Sequence, residues 1–169
     1  MMGLKNITAG FAVLLVTFNC LGQAPKPAKW TYSATKISDT ETELVFKAKI
    51  DKGYHVYSQH LEGDAGPIPT SFTFQPDKHY TLSGDVTEGK SIELYDQNFD
   101  MKVKYFSEEA VFTQKINVSG KDPFFVKGTF TYMVCDDRRC FPPEDVEFSI
   151  EVNSKNAKSG SAETKKQMP

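Results

Sequence analysis

Two cysteines near the carboxyl end of the chain, Cys135 and Cys140, have the spacing for thiol chemistry, with four residues between them. A thiolate can attack a disulfide through a mixed-disulfide intermediate, so such a pair can exchange with another protein. Strand-like runs at residues 124–134 and 146–152 flank the pair. The Pro142–Pro143 pair stops the chain from pairing straight back, since proline cannot donate to a β-ladder. We therefore predict a hairpin whose open tip carries the two cysteines.

The state of these cysteines depends on the compartment, which the amino terminus indicates. Lys5 precedes an apolar stretch, residues 9–21, that is too short for a comfortable membrane span and is followed by small residues. We predict that residues 1–22 are a secretory signal peptide cleaved after Gly22. Cleavage after Ala24 is the second choice, and an uncleaved amino-terminal anchor remains a further alternative.

Cys20 is the third cysteine of the chain. It is removed with the signal peptide, unless it is the lipid-attachment site of a lipoprotein. The remaining pair, Cys135 and Cys140, is expected to form a disulfide in an oxidising compartment. A structural staple and a redox-active pair both stay open, although closing so short a ring stabilises by only about 2 kcal/mol, and a domain of this size buries a core without one.

The rest of the chain divides by composition. Residues 23–29 are predicted to be a tether, residues 30–153 one domain, and residues 154–169 a disordered tail rich in Ser, Lys and Gly. The net charge of −2 gives no basis for a nucleic-acid or anionic-membrane partner. No nucleophile elbow or metalloprotease motif supports a hydrolase. We expect a monomer without nucleic acid, cofactor or bound metal.

Alternation of apolar and polar residues predicts an all-β domain. In residues 43–50, for example, Leu44, Phe46, Ala48 and Ile50 share one face. Many short strands in one domain favour an antiparallel β-sandwich, with a small closed barrel as the alternative. The predicted strands are residues 30–37, 43–50, 54–57, 71–75, 91–94, 101–106, 110–118, 124–134 and 146–152, with turns at 51–53 and 83–85 and a loop at 62–69.

The run Tyr-Met-Val-Cys-Asp-Asp-Arg-Arg-Cys-Phe-Pro-Pro-Glu at residues 132–144 resembles the active-site hairpin of the amino-terminal periplasmic domain of the thiol:disulfide interchange protein DsbD. Residues 53–58 are similar to the Gly-Tyr-x-x-Tyr stretch of that family. The resemblance covers roughly residues 30–152. It implies an immunoglobulin-like antiparallel β-sandwich with a cysteine-bearing hairpin, located in the periplasm.

The resemblance also implies an activity and its partners. A membrane electron-transfer protein and a thioredoxin-like domain would supply reducing equivalents. Disulfide isomerases and the thioredoxin-like proteins of cytochrome maturation would receive them. Cys140 would form mixed disulfides with partners, and Cys135 would resolve them. Phe99 would be the cap over the pair, with Asp96, Tyr54, Tyr57 and Phe141 around the site.

The sequence departs from the family pattern in three respects. The best-known members have five residues between the cysteines rather than four. The acidic pair that precedes the cap phenylalanine is replaced by Gln97 and Asn98, which leaves Asp96 as the candidate substitute. Membrane and thioredoxin-like domains do not follow the sandwich in this sequence, so the reductant is expected to be another protein.

The charges at the tip suggest different roles for the cysteines. The Arg138–Arg139 pair adjoins Cys140 and would favour its thiolate, whereas the Asp136–Asp137 pair adjoins Cys135 and would disfavour its ionisation. The alternative is that all four charges are simply solvated.

Two rival functions remain. One is a non-redox immunoglobulin-like binding module with a structural disulfide. The other is a carrier of a soft metal such as Cu(I), for which the candidate ligands beside the cysteines are His55, His60, His79 and Met133.

Overall fold

The computed structural model describes residues 26–62, 66–97 and 99–153, together with the backbone of residues 160–161. Every regular element in these residues is a β-strand, and none of them forms a helix that could cross a membrane. The strands are β1 (Ala28–Lys36), β2 (Glu41–Ile50), β3 (His55–Tyr57), β4 (Ser71–Phe74), β5 (Tyr80–Glu88), β6 (Ile92–Asp96), β7 (Met101–Ser107), β8 (Glu109–Val118), β9 (Phe124–Tyr132), β10 (Val134–Cys135), β11 (Glu144–Val152) and β12 (Gly160–Ser161).

Strict alternation in the long strands explains why they form a half-buried sheet. In β2, Leu44, Phe46 and Ala48 are fully buried and Ile50 nearly so, while Lys47 and Lys49, which alternate with them, are exposed. Successive side chains of a strand point to opposite faces, so this pattern places one whole face in the core. Moving a large apolar side chain of this kind out of water stabilises the fold by about 1.5–3 kcal/mol. The predicted inward face of β2 is therefore confirmed.

The strands form three antiparallel sheets. Five strands pair in the order β12-β1-β2-β8-β5, four in the order β10-β3-β7-β6, and three in the order β11-β9-β4. Aromatic contacts connect the sheets: the ring centroid of Phe46 lies 4.9 Å from those of Phe72 and Phe148. The Phe112 centroid lies 5.4 Å from that of Phe106. The five-stranded sheet is thus one layer, and the other two sheets pack against it.

This arrangement is the immunoglobulin-like antiparallel β-sandwich that the sequence predicted. Its main core draws on all three sheets, with Phe46 and Phe112 from the first, Val56 from the second, and Phe130 and Phe148 from the third. The alternative of a small closed barrel is wrong, since the strands form three separate sheets rather than one closed ring.

The prediction of a turn at residues 83–85 is wrong. β5 runs through this segment, and its register against β8 shifts between Ser83 and Thr87. Gly84 adopts a positive φ of 71° there, a conformation that glycine tolerates best. The buried Gln114 side chain donates a 3.1 Å hydrogen bond from Nε2 to the Gly84 carbonyl. Residues typical of turns therefore form an irregularity within a strand, where a neighbouring side chain satisfies the freed carbonyl.

The predicted tether and tail also need correction. β1 begins at Ala28, so the last two residues of the predicted tether belong to the sheet. Within the predicted tail, Gly160 and Ser161 pair with Tyr32 and Thr31 of β1. The predicted signal peptide, Cys20 and the other tail residues lie outside the described residues.

Candidate functional site

The hairpin of β9 and β11 leaves its own sheet at the tip. β9 ends at Tyr132, opposite Glu144 in β11, and the Tyr132 hydroxyl donates to the Glu144 carboxylate over 3.2 Å. Beyond Tyr132 the chain crosses to the four-stranded sheet, where Val134 and Cys135 form β10. The predicted strand 124–134 is therefore two strands, interrupted at Met133. Tip residues 133–143 connect two sheets rather than extending one.

The Asp136 carboxylate fixes the turn at the tip. Its Oδ1 accepts hydrogen bonds from the backbone N–H groups of Arg138 and Arg139, at 2.8 and 2.9 Å. The Asp136 backbone N–H donates to the Arg139 carbonyl over 2.9 Å. The Arg138 N–H, followed by the N–H and the charge of Arg139, lowers the pKa of Asp136. This carboxylate, adjacent to Cys135 in sequence, is thus held by the turn itself.

A disulfide between Cys135 and Cys140 closes this turn, with the two Cα atoms 4.0 Å apart. The Phe141 N–H donates to the Val134 carbonyl over 2.9 Å just outside it. The two cysteines differ in exposure: Cys135 is 0% exposed, whereas Cys140 is partly exposed. Cys140 is therefore the more accessible residue of the pair.

Pairing between β10 and β3 determines what surrounds the disulfide. Val134 lies opposite Val56, and Cys135 lies opposite His55. Val56 and Val134 are buried in the main core. Because side chains alternate across a strand, His55, Tyr57 and Cys135 are on the opposite face. The short strand β3 thus separates the main core from the disulfide and brings His55 beside Cys135.

A buried chain of hydrogen bonds runs beside the disulfide. The Tyr57 hydroxyl donates to Asp96 Oδ2 over 2.7 Å and lies 3.1 Å from His55 Nε2. A phenol has only one hydrogen to donate, and Asp96 receives it. His55 Nε2 must therefore carry the proton shared with the Tyr57 oxygen, so Nδ1 is the unprotonated nitrogen of the neutral ring. Tyr57 and Asp96, both predicted site residues, lie together here.

Burial dominates the electrostatics of these groups. It raises the pKa of the Tyr57 phenol, and the hydrogen bond to Asp96 and its charge raise it further. Burial also lowers the pKa of the His55 imidazole, opposed by the charges of Asp96, Asp137 and Asp136. His55 is accordingly a neutral base surrounded by negative charge near neutral pH.

Phe99 belongs to the same group of side chains as the disulfide. Its ring meets the Tyr57 ring edge-on, with centroids 6.2 Å apart, and Phe99 itself is partly buried. We call this group the disulfide cluster; its buried members are Tyr57, Val103 and Cys135, and its partly buried members are Leu61, Phe99, Met101, Tyr105, Met133 and Cys140. Gln97 is exposed, and Asn98 lies outside the described residues.

Tyr54 and Phe141 lie on the other side of the hairpin tip. Their ring centroids are 6.1 Å apart, and both side chains pack against the main core rather than the disulfide cluster. The Arg139 guanidinium stacks over Phe141 at 5.1 Å and lies 3.6 Å from an Asp136 oxygen. The two tyrosines of the predicted stretch therefore separate, with Tyr57 beside the disulfide and Tyr54 behind Phe141.

An open cleft of about 350 Å³ adjoins the disulfide cluster. It is lined by His55, Leu94, Tyr95, Asp96, Gln97, Val103, Tyr105 and Asp137. In β6, Ile92 and Leu94 lie opposite Tyr105 and Val103 of β7, so they share the face that carries the disulfide cluster. Leu94 is 55% exposed and Ile92 45% exposed. An apolar, accessible surface thus continues from the cleft along β6.

The candidate metal ligands are scattered. His79 pairs with Asp77 at 2.6 Å and stacks on Phe124. Phe124 begins β9, and the opposite end of β9 leads to the disulfide. His55 is engaged with Tyr57. Across the described parts of the chain, no three His, Cys, Asp or Glu side chains converge on a site for a cation.

The position of His55 beside the disulfide was not predicted from the sequence, where this residue was only a candidate metal ligand. A pairing between β3 and β10 joins residues far apart in the chain, and no local pattern specifies its register. The one available signal was the alternation of His55 and Tyr57, which places both on the face opposite Val56.

The fold and the site define a class: an immunoglobulin-like domain with a partly exposed disulfide at a hairpin tip. The chain matches the family described as "Thiol:disulfide interchange protein DsbD, N-terminal" over residues 23–152. It belongs to this family of thiol:disulfide interchange domains, whose members are in general periplasmic. The resemblance drawn from the cysteine hairpin is therefore confirmed.

Solved structures agree on the fold. The reduced amino-terminal domain of DsbD from Neisseria meningitidis is 20% identical, with a TM-score of 0.55, covering 81% of this chain and 91% of that one. The complex of the DsbD and PilB amino-terminal domains from the same organism contains a similar chain. It is 20% identical, with a TM-score of 0.50, covering 78% of this chain and 88% of that one. No curated protein matches the sequence significantly.

Proposed function

We propose that this protein is a thiol–disulfide exchange module. It relays reducing equivalents from a membrane or thioredoxin-like reductant to exported client proteins through the Cys135–Cys140 pair. The observation that carries the proposal is the asymmetry of the disulfide, in which Cys135 is completely buried and Cys140 is partly exposed. A staple needs no accessible sulfur, whereas exchange requires attack by or at one sulfur.

The two cysteines take different roles. In the reduced domain, the Cys140 thiolate attacks a client disulfide and forms a mixed disulfide, releasing one client thiolate. Cys135 then attacks Cys140 Sγ, which re-forms the Cys135–Cys140 bond and releases the second client thiolate. The client gains two electrons, and this domain loses them. A thioredoxin-like reductant restores the dithiol by the reverse sequence, starting with attack at Cys140.

Phe99 acts as a cap that limits access to the pair. The support for this role is its place in the disulfide cluster, where it meets Tyr57 edge-on and shares neighbours with both cysteines. Displacement of Phe99 by a docking partner would couple binding to exchange. Small oxidants, which cannot displace the ring by binding, would react slowly.

Clients and reductants dock on the face that carries the disulfide. They are thioredoxin-like proteins and disulfide isomerases, including those of cytochrome maturation, with a membrane electron-transfer protein upstream. The solved complex of a similar DsbD domain with a PilB domain supports a protein partner. The exposed Ile92 and Leu94 provide apolar contact area beside the cleft. The domain acts as a monomer in these encounters.

Export across the cytoplasmic membrane brings the domain into the same compartment as its client proteins. Residues 1–22 serve as a cleaved signal peptide, and the domain works in the periplasm, consistent with the general location of the family. In the alternative form, lipid attachment at Cys20 would hold the same domain at the membrane surface.

A trapping experiment tests the assignment of roles. Reduced Cys135→Ala domain is mixed with a thioredoxin-like protein that lacks its own second active-site cysteine and carries the first as a mixed disulfide with thionitrobenzoate, and the products are separated without reductant. Accumulation of a mixed disulfide through Cys140 is expected, because neither protein then has a second thiol to resolve it. The matched Cys140→Ala variant retains only the buried thiol and should trap almost nothing. Equal trapping by both variants, or by neither, would contradict the proposal and favour a structural disulfide in a binding module.

A further inference from the structure

We propose that His55 is the proton acceptor for Cys135 during exchange. Its Nδ1 takes the proton of the Cys135 thiol when Cys135 closes the disulfide, and returns it when a reductant opens the disulfide. The inference rests on the proposed exchange function and adds to it a residue that handles the proton.

Geometry selects His55 for this role. It lies directly opposite Cys135 in the β3–β10 pair. Side chains opposed in this way share one face, with Cβ atoms about 4.5–5.5 Å apart. His55 Nε2 is committed to the Tyr57 hydroxyl, which itself donates to Asp96. The remaining ring nitrogen, Nδ1, is therefore the one with an available lone pair.

Burial of Cys135 makes a proton acceptor necessary. The attacking species in exchange is the thiolate, and an apolar environment disfavours thiolate formation. Cys135 has no exposed surface, and its neighbours in the disulfide cluster include Val103 and Tyr57. A base within the protein must therefore accept the proton as Cys135 attacks.

The surroundings of His55 suit a ring that gains and loses a proton. The groups that face it are Tyr57 on β3, Tyr105 on β7, Asp96 on β6, and Asp136 and Asp137 at the hairpin tip. Burial keeps the resting ring neutral and able to accept, as its lowered pKa indicates. The three carboxylates stabilise the imidazolium once it forms.

Closure of the disulfide couples a proton transfer to the exchange of one sulfur–sulfur bond for another. In the mixed disulfide, the Cys135 Sγ–H proton passes to His55 Nδ1, and Cys135 Sγ attacks Cys140 Sγ. The Cys135–Cys140 bond forms as the bond from Cys140 to the client sulfur breaks, and the client leaves as a thiolate. The imidazolium then releases its proton to solvent. The client disulfide is the oxidant, and it is reduced by two electrons overall.

A two-step reaction with dithiobis(nitrobenzoate) isolates this event, since each released thiolate is coloured. With one equivalent of reagent, Cys140 of the fully reduced domain attacks the reagent disulfide, which forms a mixed disulfide and releases the first thiolate. Closure by Cys135 releases the second. Rates of both phases are measured across the pH range in which histidine titrates. The variants are His55→Gln, which keeps a donor to Tyr57, and the matched control His79→Gln, whose ring stacks on Phe124 at the start of β9.

His55→Gln should slow the second phase by about 10²-fold near neutral pH, the lower end of what a positioned base contributes. Its rate should then rise with pH as the thiol ionises by itself, while the first phase stays unchanged. His79→Gln should match the parent in both phases. An unchanged second phase in His55→Gln would overturn the inference while leaving the proposed exchange intact. Absence of the first phase in the parent, both with this reagent and with an oxidised thioredoxin-like protein in its place, would overturn both.

A second measurement tests the coupling between His55 and Cys135 without substituting His55. In the reduced domain, nuclear magnetic resonance follows the titration of the His55 ring with Cys135 present and in the Cys135→Ala variant. Coupling between the imidazole and the thiol predicts that the substitution shifts the His55 curve. Identical curves would show that the two groups do not share a proton and would contradict the inference.

Discussion

The Tyr57 hydroxyl donates a 2.7 Å hydrogen bond to the carboxylate of Asp96, which connects two residues 39 positions apart. The bond ties β3, which pairs with the Cys135-bearing strand β10, to the end of β6. Tyr57 is fully buried and Asp96 nearly so. The bond therefore also gives a hydrogen-bond partner to two polar groups in the protein interior. The strand that pairs with the Cys135 segment is therefore held by this polar contact as well as by its backbone pairing.

Removing the hydroxyl with Tyr57→Phe should destabilise the domain by about 1–3 kcal/mol, because it takes a donor from a buried carboxylate. Urea unfolding with an unchanged m-value provides the measurement. Tyr95→Phe is the matched control, as Tyr95 donates to Asp100 at an exposed site. Its effect should stay within about 0.5 kcal/mol. Equal losses in the two variants would contradict a special role for the Tyr57–Asp96 bond.

Phe99→Ala should accelerate reduction of the Cys135–Cys140 disulfide by a small thiol such as dithiothreitol, because it removes the ring that shields the disulfide cluster. The loss of stability should remain below about 2 kcal/mol, since Phe99 is only partly buried. The control is Phe125→Ala, which truncates an aromatic ring that is 51% exposed on β9. Similar reduction rates in Phe99→Ala and the parent would argue against a cap.

His55 should make stability depend on pH. Its pKa is lowered in the folded state, so the unfolded chain binds more protons over the interval between the folded pKa and the unfolded value of about 6.5. The contribution of His55 to the free energy of unfolding is complete above the unfolded-state pKa. It is lost as the pH falls toward the folded-state pKa. Unfolding free energies across this interval should decline less steeply for His55→Gln than for the parent. Parallel curves would mean that His55 titrates alike in both states.

Gly128→Ala should disrupt the three-stranded sheet. A Cβ at position 128 would lie 2.1 Å from the Thr73 carbonyl oxygen and 2.5 Å from Phe148 Cζ. Because β4 and β11 flank β9 on both sides, neither neighbour can move without cost, and we expect a loss of about 1–3 kcal/mol or more. In Gly89→Ala the nearest atom would be 3.7 Å away, so this control should unfold at nearly the same midpoint as the parent.

Local patterns predicted most of the fold. The alternation of Leu44, Phe46 and Ala48 identified a strand and its inward face, because one buried face requires that period. The segment at residues 83–85 was misassigned because Gly84 serves equally well in a turn or in an irregular strand with positive φ. Gly160 and Ser161 carry no apolar pattern, so their pairing with β1 had no local signal.

The candidate site was predictable only in part. The cysteine pair was predicted from its spacing and Phe99 from the family resemblance, and the structure brings them into one cluster. The neighbours of the pair came from long-range pairing: β10 beside β3 places His55 opposite Cys135. The separation of Tyr54 from Tyr57 depends on which core each ring enters. Tertiary packing determines which core each tyrosine enters. A sequence motif that contains both tyrosines carries no information on that difference.

The redox equilibrium of the Cys135–Cys140 pair with glutathione tests the central claim most directly. The purified mature domain is equilibrated at defined ratios of reduced to oxidised glutathione, and its thiols are counted by alkylation and mass measurement. The exchange function predicts a potential between about −270 and −120 mV, the range of known thiol-exchange proteins. A potential below about −300 mV would identify a structural disulfide and contradict the account.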